Sequence, residues 1–231
     1  MEPKLRIIRK KKSEAENAHL DPLMRALKAL HSAGAPESMT AEELERQRRS
    51  QEVLGKLTAP MTGMDYEEFA LSGMSAAWTR LKAPHGSRHA ILYCHGGGYT
   101  SGNLGYSRVL SSKLAHATGY DVLSFEYRLA PEYPFPIGFY DCYMAAKAMY
   151  TNQFILNTDP DKITLIGDSA GGNLAAAVSL MARDQGEFLP KRQILIYPAV
   201  NNDYSEESPY LSVRRYGTEY LLTAGKMRDY I

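Results

Sequence analysis

The spacing of the hydrophobic residues changes near residue 65 and divides the chain into two regions. Before this point, apolar side chains recur every three or four positions, which is the spacing of one helix face, at Leu20, Leu23, Met24, Leu27 and Leu30. Thr40 and Glu43 then form a capping box, which predicts a second, mostly polar helix ending near Lys56. Because no strand pattern precedes residue 65, we predict that residues 1–60 are a helical segment attached to another structure.

From residue 65 onward, short apolar runs alternate with stretches of helical spacing. Strands are predicted at residues 66–71, 76–81, 89–94, 122–127, 163–166 and 194–197. Helices are predicted around residues 106–117, 139–149 and 174–182. Strands and helices that alternate in this way form a mostly parallel sheet with helices on both faces. The sequence therefore predicts an α/β fold whose core occupies residues 61–202, with residues 203–231 as a further segment.

Composition and charge argue against several classes of protein. The 231 residues include 27 Lys and Arg against 26 Asp and Glu, so the formal net charge of +1 gives no argument for binding nucleic acid or an anionic membrane. No apolar run approaches the ~20 residues of a membrane-spanning helix. The basic run at residues 4–12 lacks the apolar stretch of a signal peptide, and we expect a solvated terminus rather than an interaction tail. Two cysteines, Cys94 and Cys142, are too few for a disulfide framework, so we expect a reducing, cytoplasmic location.

The strongest chemical signal is Gly167-Asp168-Ser169-Ala170-Gly171, a G-x-S-x-G motif between a predicted strand and a predicted helix. A sharp strand-to-helix turn exposes the serine hydroxyl at the carboxyl edge of the sheet. Glycines flank the serine because side chains there would collide with the neighbouring strand and helix. The start of the helix favours negative charge just after Ser169. The motif indicates a nucleophilic serine, and the alternative is a tight turn with an inert serine.

A second signal, His95-Gly96-Gly97-Gly98, directly follows the predicted strand that ends at Cys94. Consecutive glycines let backbone N–H groups converge on one point, as an oxyanion hole requires. The alternative is a phosphate-binding loop, but position 101 is a serine where the dinucleotide motif G-x-G-x-x-G requires glycine. We predict that His95 holds this loop and does not act as a general base. Because both motifs follow strands, we expect them to lie at the same edge of the sheet.

These motifs resemble the hormone-sensitive-lipase-like branch of the α/β-hydrolases, which includes bacterial short-chain esterases and arylacetamide deacetylases. The segment from Tyr127 to Glu132, followed by Pro134-Phe135-Pro136, also resembles that branch. The resemblance is close over residues 65–200. It extends more loosely to residues 1–60 and 203–231, which are similar to the two pieces of the family's cap. It implies an α/β-hydrolase fold and a reaction that needs no metal and no cofactor.

The resemblance also implies roles for individual residues. Ser169 would be the nucleophile that attacks an ester carbonyl, and the backbone N–H groups of Gly97, Gly98 and Ala170 would stabilise the oxyanion. Asp168 matches the motif residue beside the nucleophile and is not the triad acid. The implied substrates are small, short-chain acyl esters, which are cleaved through an acyl-serine intermediate.

One part of the family's pattern is absent from this sequence. In the family, the acid and the histidine of the triad follow the serine, whereas all six histidines here precede Ser169: His19, His31, His85, His89, His95 and His116. No acidic residue after Ser169 follows a recognisable later strand, so neither a triad acid nor a triad histidine is assigned. Two further strand–helix units, roughly 50 residues, would be needed to carry them. We therefore expect an N-terminal portion of an esterase or a shortened relative.

Two functions remain open from the sequence. The first is a carboxylesterase-type serine hydrolase whose partner is a small ester substrate. The second is a non-catalytic protein that binds a ligand on the same scaffold, as in the gibberellin receptors of plants, which resemble this branch and lack the catalytic histidine. The strand at residues 194–197 is predicted to end the sheet, and its unpaired edge predicts association into a homo-oligomer.

Overall fold

The structure is a computed structural model that describes residues 39–59, 61–82, 89–151, 158–218 and 222–231. The predicted helix over residues 20–34 and the basic run at residues 4–12 lie outside the described residues. The helix predicted to begin after Thr40 is present as α1 (Ala41–Leu57). The hydroxyl oxygen of Thr40 accepts a hydrogen bond from the Glu43 N–H and so caps the first turn, as the capping box predicts.

Six strands form a single sheet in the described part of the chain. They are β1 (Met64–Leu71), β2 (Met74–Leu81), β3 (Ala90–Cys94), β4 (Asp121–Phe125), β5 (Ile163–Asp168) and β6 (Gln193–Ile196). Their order across the sheet is β1-β2-β4-β3-β5-β6. Strand β2 is antiparallel to β1 and β4, whereas β4, β3, β5 and β6 are parallel. The predicted α/β fold with a mostly parallel sheet is confirmed.

Helices cover both faces of this sheet because the strand side chains alternate between two buried clusters. The helices after α1 are α2 (Leu104–Thr118), α3 (Ile137–Thr151), α4 (Ala170–Gln185), α5 (Leu211–Tyr216) and α6 (Ala224–Asp229). On one face, Val122 of β4 packs in a cluster with Ala115 of α2. On the other face, the next residue, Leu123, packs in a cluster with Cys142 of α3 and Val178 of α4. Alternating burial along β4 therefore joins the two helical layers to one sheet.

Strand β6 lies at one edge of the six-stranded sheet, as the sequence predicts. It pairs in parallel with β5 only, among the described residues, and Ile194 is 50% exposed. Unpaired N–H and C=O groups at such an edge favour pairing with another chain. Association through this edge stays a prediction.

The first and last described helices are joined by a pair of contacts that we call the helix clasp. Lys226 Nζ lies 3.0 Å from Glu43 Oε1, and their side chains are only 8% and 14% exposed. The Met39 N–H donates a hydrogen bond of 2.6 Å to the Asp229 carboxylate. The helix clasp therefore connects α1 to α6, although all six strands of the sheet lie between these helices in the sequence.

Candidate active site

Ser169 lies at a strained turn between β5 and α4. Its backbone has φ 53° and ψ −121°, a region that a residue with a side chain rarely adopts. The Ser169 N–H donates to the carbonyl oxygen of Ile196, which ties the turn to strand β6. A Cβ on Gly171 would overlap the carbonyl oxygen of Cys94, and a Cβ on Gly167 would overlap that of Gly171. The two motif glycines are therefore required by close backbone approach, as the sequence predicts.

The glycine-rich loop after β3 uses conformations that favour glycine. Gly97 has φ +128° and Gly98 has φ +62°. The carbonyl oxygen of Gly97 accepts hydrogen bonds from the N–H groups of Thr100 (3.2 Å) and Ser101 (3.0 Å), so the loop closes on itself. Both the loop and the Ser169 turn follow the carboxyl ends of neighbouring strands β3 and β5. The structure thus brings the two motifs to the same edge of the sheet.

The side chain of Asp168 connects the serine turn to the glycine loop. One carboxylate oxygen of Asp168 accepts hydrogen bonds from the Gly96 N–H (2.9 Å) and from the Tyr93 hydroxyl (2.6 Å). A Cβ on Gly96 would lie 2.5 Å from the other carboxylate oxygen, so only glycine fits there. Burial, together with the negative charge of Asp168, raises the pKa of Tyr93 and keeps its hydroxyl protonated as a donor. The sequence analysis missed Tyr93, because its contact depends on the register of β3 against β5.

His95 is fully buried beneath the glycine loop. Its Nδ1 lies 2.8 Å from the carbonyl oxygen of Gly96, so Nδ1 carries the proton and donates it there. Its ring stacks on Tyr127 with centroids 4.2 Å apart, and the Tyr127 hydroxyl donates to the His95 carbonyl oxygen. Burial lowers the pKa of His95, which favours the neutral ring. These contacts support the prediction that His95 positions the loop.

The other described histidines lie at the opposite end of the sheet. His89 precedes β3 at its amino end and stacks on Tyr120, with ring centroids 4.6 Å apart. His116 lies in the last turn of α2, which runs back toward the amino ends of the strands. His19, His31 and His85 lie outside the described residues. Among the described histidines, His95 alone lies at the edge of Ser169, and its ring is committed to the loop.

A cavity of about 240 Å³ opens beside Ser169. Its walls come from the end of β6 and from residues 204–227 and are mostly apolar and aromatic: Tyr197, Pro198, Ala199, Tyr204, Ser212, Val213, Tyr216, Gly217, Leu222, Ala224 and Met227. Tyr197 directly follows β6, has φ +35° and leaves the sheet to reach this wall. The segment that the sequence analysis placed after the core therefore covers the serine.

Helix α1 is fastened to the other side of the glycine loop through Arg48. Its guanidinium donates to the carbonyl oxygens of Thr100 (2.7 Å) and Ala130 (2.8 Å) and to both carboxylate oxygens of Glu132. The hydrogen bonds from Arg48 lower the pKa of Glu132 to about 2. A second cavity, of about 420 Å³, lies beside these groups and does not include Ser169. Sequence analysis missed Arg48 because its partners are more than 50 residues away.

Two kinds of feature are absent from the described ranges. These residues contain no group of three or more His, Cys, Asp or Glu side chains placed to bind a metal ion. Within the same ranges, no helix has the length and hydropathy required to cross a membrane.

Comparison with known proteins places this arrangement in a family. Residues 91–231 match the family model Abhydrolase_3, described as an alpha/beta hydrolase fold. The chain is 32% identical over 218 residues to ethyl acetate hydrolase of Pseudomonas putida, covering 90% of this chain and 67% of that protein. It is 38% identical over 140 residues to arylesterase of Saccharolobus solfataricus, covering 61% of this chain and 44% of that protein.

A solved structure agrees with the sequence relatives. The hyperthermophilic esterase of Pyrobaculum calidifontis superposes with a TM-score of 0.76 at 36% identity, covering 91% of this chain and 69% of that one. The chain belongs to the alpha/beta hydrolase fold family, and its resemblance to the hormone-sensitive-lipase-like branch is confirmed. The chain spans from under half to about two thirds of the length of these relatives.

Proposed function

We propose that this protein hydrolyses small, short-chain carboxylic esters through an acyl-serine intermediate, with Ser169 as the nucleophile. The observation that carries the proposal is the strained turn at Ser169, pinned to the glycine loop by the hydrogen bond from the Gly96 N–H to Asp168. A nucleophile and its oxyanion donors need this fixed relation, because the reacting carbonyl group must lie about 3 Å from both.

The proposed reaction begins when Ser169 Oγ attacks the carbonyl carbon of an ester and gives its proton to a general base. The carbonyl electrons move onto oxygen, and the N–H groups of Gly97, Gly98 and Ala170 donate hydrogen bonds to the resulting oxyanion. Collapse of this intermediate expels the alcohol and leaves an acyl-serine. Water then attacks the acyl-serine and releases the acid. The reaction needs no metal and no cofactor.

The preference for small esters rests on the cavity. Its volume of about 240 Å³ is smaller than the ~300–1,000 Å³ of pockets that hold drug-sized ligands. Its apolar and aromatic walls suit an alkyl chain or a small ring. We also propose that α1 and residues 203–231 together form a cap over the core of residues 61–202, because the helix clasp joins them above the site.

We propose a cytoplasmic location and a small-molecule ester as the partner. Cys94 and Cys142 are both buried and free, which suits a reducing compartment. Association of two copies through the edge of β6 belongs to the same proposal, because that edge is unpaired among the described residues.

The nucleophile is tested by supplying the base from solution. Because no histidine follows Ser169 in this sequence, the 231-residue chain is expected to cleave p-nitrophenyl acetate slowly, and added imidazole is expected to accelerate it. The rate of p-nitrophenolate release is measured against imidazole concentration for the wild-type chain and for Ser169→Ala. The imidazole-dependent slope of the wild-type chain is expected to exceed that of the variant by at least about tenfold, which is less than the ~10²–10⁴-fold of a positioned general base because free imidazole is not held in place.

Ser179→Ala is the matched control, because Ser179 lies on the same helix and its hydroxyl bonds, within the described residues, to Ala175 and Gln193. This variant is expected to keep the wild-type slope. Fast wild-type turnover without imidazole that is lost in Ser169→Ala would also establish the nucleophile and would show that the chain has its own base. Equal rates in the wild-type chain and Ser169→Ala, with and without imidazole, would contradict the proposal. They would favour the second candidate, a ligand-binding protein, which the buried and committed position of His95 supports.

A further inference from the structure

Tyr230 lies directly on the glycine loop, although it is 132 positions away from Gly98 in the sequence. A Cβ placed on Gly98 would be 2.5 Å from Tyr230 Cε1 and 2.7 Å from its Cδ1 and Cζ. The ring therefore packs against the Gly98 Cα with no room for even a methyl group between them. Gly98 is one of the proposed oxyanion donors, so this ring borders the place where the substrate carbonyl binds.

The helix that carries Tyr230 is anchored to α1. The Tyr230 N–H donates to the carbonyl oxygen of Lys226, which ends α6. Lys226 in turn pairs with Glu43 in the helix clasp, and the neighbouring Asp229 accepts the hydrogen bond from the Met39 N–H. Burial of the Tyr230 side chain raises the pKa of its hydroxyl, so the ring stays neutral. The helix clasp therefore anchors to α1 the backbone that carries the Tyr230 ring.

The same helix also covers the nucleophile. Met227, one turn before Tyr230, lines the cavity beside Ser169. Met227 thus lines the cavity beside Ser169, whereas the Tyr230 ring lies outside that lining and packs on Gly98. A substrate chain directed past Gly98 would meet the Tyr230 ring, whose Cδ1, Cε1 and Cζ atoms lie against this glycine.

We propose that Tyr230 is a specificity-determining residue whose ring, packed on Gly98, limits the length of the substrate chain that the site accepts. The proposal rests on the proposed ester hydrolysis and assigns its size limit to one side chain. It concerns the ring and not the hydroxyl, because the packed atoms are ring carbons.

The test measures binding of methyl, butyl and octyl boronic acids by isothermal titration calorimetry. A serine hydroxyl adds to the trigonal boron, which forms a tetrahedral adduct and releases one proton to solvent. The adduct can place its alkyl group on either side of the tetrahedral centre, so the series measures the length limit for both arms of an ester. The wild-type chain is expected to gain little affinity from butyl to octyl. In Tyr230→Ala, each methylene that enters the opened space is expected to add about fourfold, so the octyl-to-butyl ratio should rise at least tenfold.

Tyr230→Phe is the matched control and is expected to keep the wild-type ratio, because it keeps the ring. Tyr216→Ala, which removes a ring that lines the Ser169 cavity, tests whether any truncation at the site has the same effect. An unchanged octyl-to-butyl ratio in Tyr230→Ala, or an equal rise in Tyr216→Ala, would overturn the proposal. Ser169→Ala distinguishes a failure of the nucleophile assignment from a failure of the role proposed for Tyr230. If this variant binds the boronic acids as tightly as the wild-type chain, the nucleophile assignment fails. The octyl-to-butyl ratio then still decides the role of Tyr230.

Discussion

The buried ion pair of the helix clasp gives a prediction whose size follows from the structure. Lys226 Nζ and Glu43 Oε1 are 3.0 Å apart, and the two side chains are 8% and 14% exposed. At an effective dielectric constant of about 20, their attraction is about 5 kcal/mol before the cost of removing both charges from water. The second carboxylate oxygen of Glu43 is buried and has no hydrogen-bond partner among the described residues. Lys226 therefore supplies the positive charge that offsets the burial of the Glu43 carboxylate.

Lys226→Met keeps the length of the side chain and removes its charge, which leaves a buried carboxylate without a partner. We expect the free energy of unfolding to fall by about 3–5 kcal/mol, measured by urea denaturation with linear extrapolation. The double variant Glu43→Leu/Lys226→Met removes both charges. It is expected to recover most of this loss, because a well-packed apolar pair can replace a buried ion pair at little net cost.

Arg49→Met is the matched control on α1. Arg49 pairs with Glu45 at 2.7 Å, but these side chains are 74% and 71% exposed. Its loss is expected to change the free energy of unfolding by at most about 0.5 kcal/mol. If Lys226→Met costs no more than Arg49→Met, the reasoning from burial is wrong. If the double variant is as unstable as the single one, the pair contributes through packing and not through charge.

Two further predictions concern the glycine loop and its support. Gly171→Ala is expected to lower the free energy of unfolding by about 1–3 kcal/mol or more, because the new Cβ would overlap the backbone oxygen atoms of Cys94 and His95. Gly119→Ala is the control for backbone strain, because Gly119 has φ +69° but open space where a Cβ would lie, and this variant is expected to lose less. Urea denaturation checks this, and equal costs would contradict the close packing. The pKa of His95 is lowered by burial, so as the pH falls through about 6.5 the unfolded chain takes up a proton that the folded chain does not. The free energy of unfolding is therefore expected to fall as the pH is lowered from about 7 to 5, by up to about 1.4 kcal/mol per pH unit from this group. In His95→Asn the slope of this free energy against pH should be correspondingly smaller. Identical slopes would refute the buried, neutral ring.

The sequence predicted the order and type of the elements well, because each rests on local spacing. Strands and helices from residue 65 appear where the hydrophobic pattern places them, and Thr40 caps α1 as its capping box requires. Two boundaries differ near the site. The strand predicted to reach Tyr127 ends at Phe125, since the Tyr127 ring turns to stack on His95. The helix predicted around residues 174–182 begins earlier, at Ala170. Two glycines in its first turn weaken the helical pattern, so the sequence did not predict this start.

Long-range contacts explain what the sequence analysis missed. The hydroxyl of Tyr93 reaches Asp168 only because β3 and β5 pair in one particular register, and that register is not encoded near either residue. Arg48 and Tyr230 have ordinary neighbours in the sequence and acquire their importance from packing against the glycine loop. The G-x-S-x-G motif was recognisable because its constraint is local, whereas the walls of the cavity beside Ser169 come from segments distant along the chain.

The helix clasp also orders events during synthesis. Glu43 and Lys226 are 183 residues apart, and ribosomes add about 5–20 residues per second, so α1 emerges roughly 10–40 s before its partner helix. In that interval the strands and helices between them leave the exit tunnel and pair through contacts close in sequence. Helix α1 is therefore synthesised before the sheet and well before α6. The serine turn and the glycine loop can form before α6 is present. A nascent chain stalled before residue 224 would present that site without α6, the helix that supplies Met227 to the wall of the cavity.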